Sequence, residues 1–178
     1  MGRERFEEFA ASATTRLCRA AYLLVGDHHL AEDLTQDVLA RVYVAWPRIT
    51  GDPYGYAYRA LGNAAANQRR WTGRHPEISV PITSHDHAVP DAAEGIVAHT
   101  DLMAALGQLP ARQRAVVVLR YFLDLTEADT AEALAISVGT VKSQHARAVA
   151  HLRDLLGVDL VAPTDGDLVA PGHDGNAT

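Results

Sequence analysis

Side chains with the types and spacing to engage another molecule fall into separate clusters along this sequence. Between Thr126 and Arg153, stepping at about 100° per residue places Lys142, Ser143, Ala146, Arg147 and Ala150 on one side of a helix. Val141, Ala148, Val149 and Leu152 fall on the other side. A cationic face otherwise built of small residues can settle into a DNA major groove, where Lys142 or Arg147 reaches guanine edges or phosphates. Two charges alone describe a solvated helix face, and it is the segment before them that argues for DNA. Ala131 is small where a second helix must cross closely, Ala135-Ile136-Ser137 forms a turn four residues later, and Val141 follows ten residues after Ala131. Those offsets predict a helix-turn-helix wedge. The turn favours glycine in a left-handed conformation, so Ala135 there costs about 1 kcal/mol. His145 falls on the apolar side and reads as a packed histidine.

A second cluster is Arg59, Asn63, Asn67, Arg70 and Arg74, spaced by four, four, three and four residues. On one helix they lie within about 80° of arc. Arginines there hold phosphates, and asparagines offer donors and acceptors to unpaired base edges. Trp46, Tyr54, Tyr56, Tyr58 and Trp71 surround this stretch, and basic residues interleaved with aromatics suit single-stranded nucleic acid. Tyr58 reads as core, and Tyr54 as either a stacking or a packing ring. His75, His85, Asp86 and His87 have metal-ligating types but sit in a proline-broken segment without helical spacing, so no metal site is expected. Neither a nucleophile–base arrangement nor a phosphate-binding glycine loop stands out, and neither an enzyme nor a cofactor is expected.

The elements that must position these groups are all helical. A first helix is predicted from about Arg3 to Val25, stopped by Gly26, and a second from an Asp27 N-cap to Trp46, ended by Pro47. Asp52-Pro53 supplies the N-cap and first-turn proline of a third, reaching about Trp71. Residues 72–97 hold three prolines and no helical period, and read as a linker. Helices then follow near Thr100–Gln108, over Ala111–Phe122, over Glu127–Ala135 under a Thr126/Asp129 capping-box variant, and from Ser137 to about Leu156. The expected fold is all-α: two small helical domains, at 3–74 and 98–156, joined by a flexible linker at 75–97 and followed by a disordered acidic tail at 157–178.

At 178 residues and 48% apolar, the chain is ordinary globular protein. The lone Cys18 excludes an internal disulfide, and no apolar run has membrane-helix length, which points to the cytosol and to no membrane partner. A net charge of −6 argues against nucleic acid only until it is located. Residues 45–80 carry +3 and residues 112–153 carry +2, whereas 81–111 carry −4 and 154–178 carry −5. Distant charge is screened beyond about 8–10 Å at cellular salt, so the two basic blocks act locally.

Taken together, AEDLTQDVLARVYVAW, AYRALGNAAANQRRW, LPARQRAVVVLRYF and LTEADTAEALAISVGTVKSQHARAVAHLR resemble an ECF-type (extracytoplasmic function) RNA polymerase sigma factor. The resemblance covers nearly all of Phe6–Leu156. It implies sigma domain two at 3–74 and sigma domain four at 98–156. It also gives meaning to the helix carrying Asp33, Gln36, Asp37 and Arg41 opposite Leu34, Val38 and Val42, which by pattern alone is only an amphipathic surface helix. By resemblance, those four residues dock on the beta-prime clamp helices of core polymerase, with the beta flap as a further partner site. Asn63 and Asn67 fall where the family captures unstacked minus-ten bases, with Tyr54, Arg59, Arg70 and Arg74 around them. Lys142, Ser143 and Arg147 match the minus-thirty-five contacts, Gln144 and Ala146 complete that DNA-facing set, and Arg114 is implied on a phosphate. Gln144 and His145 stand where the family more often has arginine and leucine, which bears on the upstream sequence preferred. The implied protein is a monomer when free, with promoter DNA, core polymerase and an anti-sigma protein as its classes of partner. The rival is a helix-turn-helix regulator that acts without polymerase docking and would have no use for the face of the second helix.

Overall fold

Helix boundaries fall where capping side chains put them. The structure is a computed structural model that describes residues 2–72 and 102–157. The expected linker, Arg74, the histidine cluster and the tail beyond Gly157 lie outside these residues. Among the described residues there are helices and turns but no strand. α1 runs Gly2–Val25 and stops at Gly26, whose φ of +76° suits glycine and whose N–H donates to the Tyr22 carbonyl at 2.7 Å. α2 runs His28–Ala45, its first turn capped by Asp27, whose carboxylate accepts from the Leu30 N–H at 2.8 Å. A short 3₁₀ turn at Trp46–Arg48 absorbs Pro47. α3, Pro53–Thr72, starts under Asp52, which accepts from the N–H groups of Tyr54 and Gly55 at 2.9 and 2.8 Å.

These three helices close on one another through small and branched residues. α1 contributes Phe9, Ala13, Leu17, Ala20, Ala21 and Leu24; α2 contributes Ala31, Leu34, Val38 and Val42; α3 contributes Ala57, Tyr58, Leu61, Ala64 and Ala65. Tyr58 is core, as its place in the pattern suggests.

The second group begins with residues 102–108, which are helical (α4). α5 follows over Ala111–Val117. Sequence periodicity predicts that this helix continues regularly to Phe122, but the last turn, Val118–Phe122, widens into π geometry. Leu123 N–H there reaches back to the Val118 carbonyl, and Leu125 N–H to that of Leu119. With the widened turn, Arg120 points inward: it is 3% exposed, and its guanidinium donates to the Leu125 carbonyl at 2.6 Å. A buried guanidinium needs such partners, and hydropathy patterning does not foresee one inside an apolar stretch.

α6, Glu127–Leu134, and α7, Val138–Leu156, form the helix-turn-helix. Thr126 caps α6 by accepting from the Asp129 N–H at 3.0 Å, and its hydroxyl donates back to the Asp129 carboxylate at 2.7 Å. Ser137 caps α7 by accepting from the Thr140 N–H at 3.1 Å. Between them Ala135 adopts φ 52°, ψ 49°, the left-handed conformation expected of the turn. Ala135→Gly removes the Cβ strain of about 1 kcal/mol but loosens the unfolded chain by about 0.4–1 kcal/mol, so a net gain of at most about 0.5 kcal/mol is expected. A raised urea midpoint with unchanged m-value would register it.

The two helical groups are not independent. α3 packs along α6, and α1 touches the π turn, so that one hydrophobic cluster runs through both. Nothing in the helical periodicities signals that contact.

Candidate nucleic-acid interface

α7 is built to show one face. Val141, Ala148 and Leu152 are buried, and each is 1% exposed or less. Lys142, Ser143, Ala146 and Arg147 are exposed, and Gln144 is half-buried. Ser143 donates its hydroxyl to the Thr140 carbonyl at 3.0 Å. The ammonium of Lys142 lies 3.4 Å from Glu127 at the start of α6. Arg147 has no partner among the described residues and is ready to donate. His145 is the packed histidine expected: its ring stacks on Tyr121 at 5.6 Å, and the two share a hydrogen bond at 2.9 Å. The contact pins the recognition helix to the π turn.

Burial, together with the positive charge of Arg120, holds the His145 imidazole below its usual range, with Glu127 pulling the other way. The unfolded chain therefore holds this proton more tightly than the folded one. The associated stability is full above the unfolded value of about 6.5 and is lost as pH falls below it. Melting temperature is expected to drop between pH 7.5 and 5.5, and to drop less in His145→Leu. An equal drop in both would assign the acid sensitivity to other groups.

Arg114 is placed differently from its neighbours in the DNA-contact set. It is half-buried, and one terminal nitrogen donates to the carbonyls of Gly107 (2.9 Å) and Leu109 (3.4 Å), tying the end of α4 to α5. Burial lowers its affinity for its proton. A guanidinium so engaged closes a helix end, and the structure does not join it to the exposed face of α7.

On α3, Asn63 is exposed and Arg59 half-buried. Arg59 faces the second helical group: its Nη1 lies 3.2 Å from Asp129 and its Nε 3.8 Å from Glu132. Asn67 and Arg70 lie on α3, but their side chains belong to the part not described. Tyr54 is packed on α1, with its ring edge-on to Phe9 at 5.0 Å and its hydroxyl 2.6 Å from Ser12 Oγ. Of its two sequence readings, packing is the one the geometry displays.

On α2, Asp33, Gln36, Asp37 and Arg41 are all exposed, opposite the buried Leu34, Val38 and Val42. Arg41 and Asp37 approach to 3.7 Å across one turn. The same face continues into two apolar residues not singled out from the sequence, Tyr43 at 54% and Val44 at 70% exposure. Each lies seven residues, and so within about 20° of arc, from Gln36 or Asp37, and an apolar residue on a polar stripe was the available signal. No group of acidic, histidine or cysteine side chains among the described residues could hold a metal, and no described helix is long and apolar enough to cross a membrane.

Residues 10–75 match the family described as Sigma-70 region 2, and residues 99–152 match that described as Sigma-70, region 4. The chain is 37% identical over 153 residues to the RNA polymerase sigma-E factor of Streptomyces coelicolor, covering 85% of each. It is 33% identical to the ECF RNA polymerase sigma factor ShbA of Streptomyces griseus, covering 79% of this chain and 80% of ShbA. Its fold is similar to that of the sigma factor RpoE of Bartonella quintana, solved in complex with the anti-sigma factor NepR. There the TM-score is 0.70 at 27% identity, over 88% of this chain and 99% of that one. Two such regions in this order mark the sigma-70 class. Within it, the chain belongs to the ECF-type RNA polymerase sigma factors, which serve core polymerase in transcription initiation. The rival of a regulator that acts without polymerase is set aside.

Proposed function

We propose that this sigma factor divides its work among three faces. α2 docks on the beta-prime clamp helices of core polymerase through Asp33, Gln36, Asp37 and Arg41, with Tyr43 and Val44 extending the contact. α3 presents Arg59, Asn63 and Asn67, with Arg70 and Arg74 beyond, to unstacked minus-ten bases. α7 presents Lys142, Ser143, Gln144, Ala146 and Arg147 to the minus-thirty-five duplex. Residues 3–74 thus act as sigma domain two and 98–156 as sigma domain four, working in the cytoplasm with the beta flap as a second polymerase contact. Capturing unstacked bases shifts the duplex toward the melted state, since binding energy goes only to the open strand. Polymerase supplies the chemistry.

The observation that carries the proposal is the clean division of α7: buried Val141, Ala148 and Leu152 on one side, and exposed Lys142, Ser143, Ala146 and Arg147 on the other. The test adds the purified chain to core polymerase on a template library with randomised upstream sequence and sequences the transcripts. Start sites sharing upstream elements are expected, and transcripts identical to those of core alone would refute the proposal. Charge reversal at the docking face, Asp33→Lys with Asp37→Lys, places repulsion at the interface and is expected to weaken association with core by about tenfold or more. Unchanged co-elution would remove α2 from the docking role.

A further inference from the structure

The recognition helix carries its cations with no acid of its own among them. From Val138 to Arg153 it holds no aspartate or glutamate. Lys142 and Arg147 are exposed. Among the described residues, Lys142 meets one carboxylate, that of Glu127 at 3.4 Å, and Arg147 meets none. The helix ends at Gly157, whose φ of +64° turns the chain off the helix axis and whose N–H donates to the Arg153 carbonyl at 2.9 Å. Residues 158–178 include Asp159, Asp165, Asp167 and Asp174 and no lysine or arginine. The pentapeptide DLVAP occurs there twice, opening at Asp159 and again at Asp167. The functions assigned above make no use of that acidic, repeated segment.

Chain reach selects which carboxylates can return to those cations. At 1.5 Å per residue, Arg147 stands about 15 Å and Lys142 about 22 Å back along α7 from Gly157. Fully extended chain covers about 3.3–3.6 Å per residue, so Asp159 lies within about 7 Å of Gly157 and stays near the helix end. Asp165 and Asp167 come within reach at about 28 and 35 Å. Extended, these two stand about 7 Å apart, close to the rise of about 7.5 Å between Arg147 and Lys142. We propose that Asp165–Asp167 folds back along α7 and seats its two carboxylates on Arg147 and Lys142, the cations assigned above to the upstream duplex. The seat itself rests on charge and reach; its competition with DNA rests on that assignment. Exposed ion pairs are individually weak, and the tether is what makes them count, since a short one holds the carboxylates at an effective concentration of about millimolar. A duplex must displace this cover, so apparent affinity falls in proportion to its population. Encounters held by phosphates alone are the first to fall below the working concentration.

The repeat supplies an internal control, because Asp159→Asn and Asp167→Asn each remove one charge from the same pentapeptide at different distances from the helix. In the full-length chain, Asp165→Asn with Asp167→Asn is expected to raise affinity for a fluorescein-labelled mixed-sequence duplex about 3- to 10-fold at low salt. The gain should fade as salt screens the pairs. Asp167→Asn alone should give part of it, and Asp159→Asn none. Equal gains from the two single substitutions would reduce the segment to bulk charge and overturn the seat. The contact is read without DNA from a nitroxide on Thr164→Cys in a Cys18→Ser background, which removes the native thiol. Broadening of the amide signals of residues 142–147, relieved by added duplex, is the expected result. Broadening confined to the last turn before Gly157 would refute the fold-back. Broadening that grows with protein concentration would refute it too, by placing the segment on a second copy. If residues 142–147 broaden while Lys142→Ala with Arg147→Ala leaves duplex affinity unchanged, the seat stands and the assignment of α7 to DNA falls, taking the competition with it.

Discussion

Truncating Leu119 to alanine is expected to cost about 3–5 kcal/mol, the range for a fully buried leucine whose surroundings cannot collapse. Leu119 is 0% exposed. It sits in the π turn, where its carbonyl already accepts from the Leu125 N–H, so the backbone around it is held and cannot close the void. Its methyls also lie 3.2 and 3.5 Å from where a Cβ on Gly62 of α3 would stand, so the truncation removes packing between the helical groups as well as within the second. Against a typical total of about 5–15 kcal/mol for a domain, that loss brings the second group near its threshold. Urea unfolding should then separate into two transitions, the first belonging to residues 102–157. A single transition shifted by less than about 1 kcal/mol would mean that the cavity closes and that Leu119 does not bridge the groups.

Local chemistry was the part of this protein most legible in its sequence. Asp27, Asp52, Thr126 and Ser137 each cap the helix they precede, because the capping signal needs only a short polar side chain and the next three backbone N–H groups. Ala135 could be assigned a left-handed conformation because the helix-turn-helix offsets leave no other place for the turn. His145 could be placed as packed because the helical wheel sets it beside Leu152. What escaped were features made by residues far apart in the chain. The capture of Arg59 by Asp129 spans seventy residues, and that of Arg16 by Asp124 spans more than a hundred. No periodicity encodes such a meeting. The engagement of Arg114 escaped for a related reason: the carbonyls of Gly107 and Leu109 are brought to it only by the α4–α5 corner.

The recognition face offers the second large effect, and its two cations should behave differently. Arg147 is exposed and has no partner among the described residues, so binding DNA breaks no contact among them. If its guanidinium forks onto a guanine edge, Arg147→Ala is expected to weaken binding to an upstream duplex by about 1–3 kcal/mol, roughly 5- to 150-fold, and to relax preference at one base pair. Lys142 begins in an ion pair with Glu127. With the lysine side chain 63% exposed, that pair contributes little, and it must be exchanged for a phosphate. Lys142→Ala should therefore weaken binding uniformly across sequences and reduce the slope of log affinity against log salt by about one. Glu127→Gln should do the reverse on a small scale, raising affinity most at low salt, where the pair is least screened. The measurement is fluorescence anisotropy on duplexes selected by the parent protein from a randomised pool, repeated across salt. A sequence-dependent loss from Lys142→Ala with a uniform one from Arg147→Ala would exchange the two roles. No loss from either would take α7 out of the groove, leaving its division into a buried and a charged face without a function.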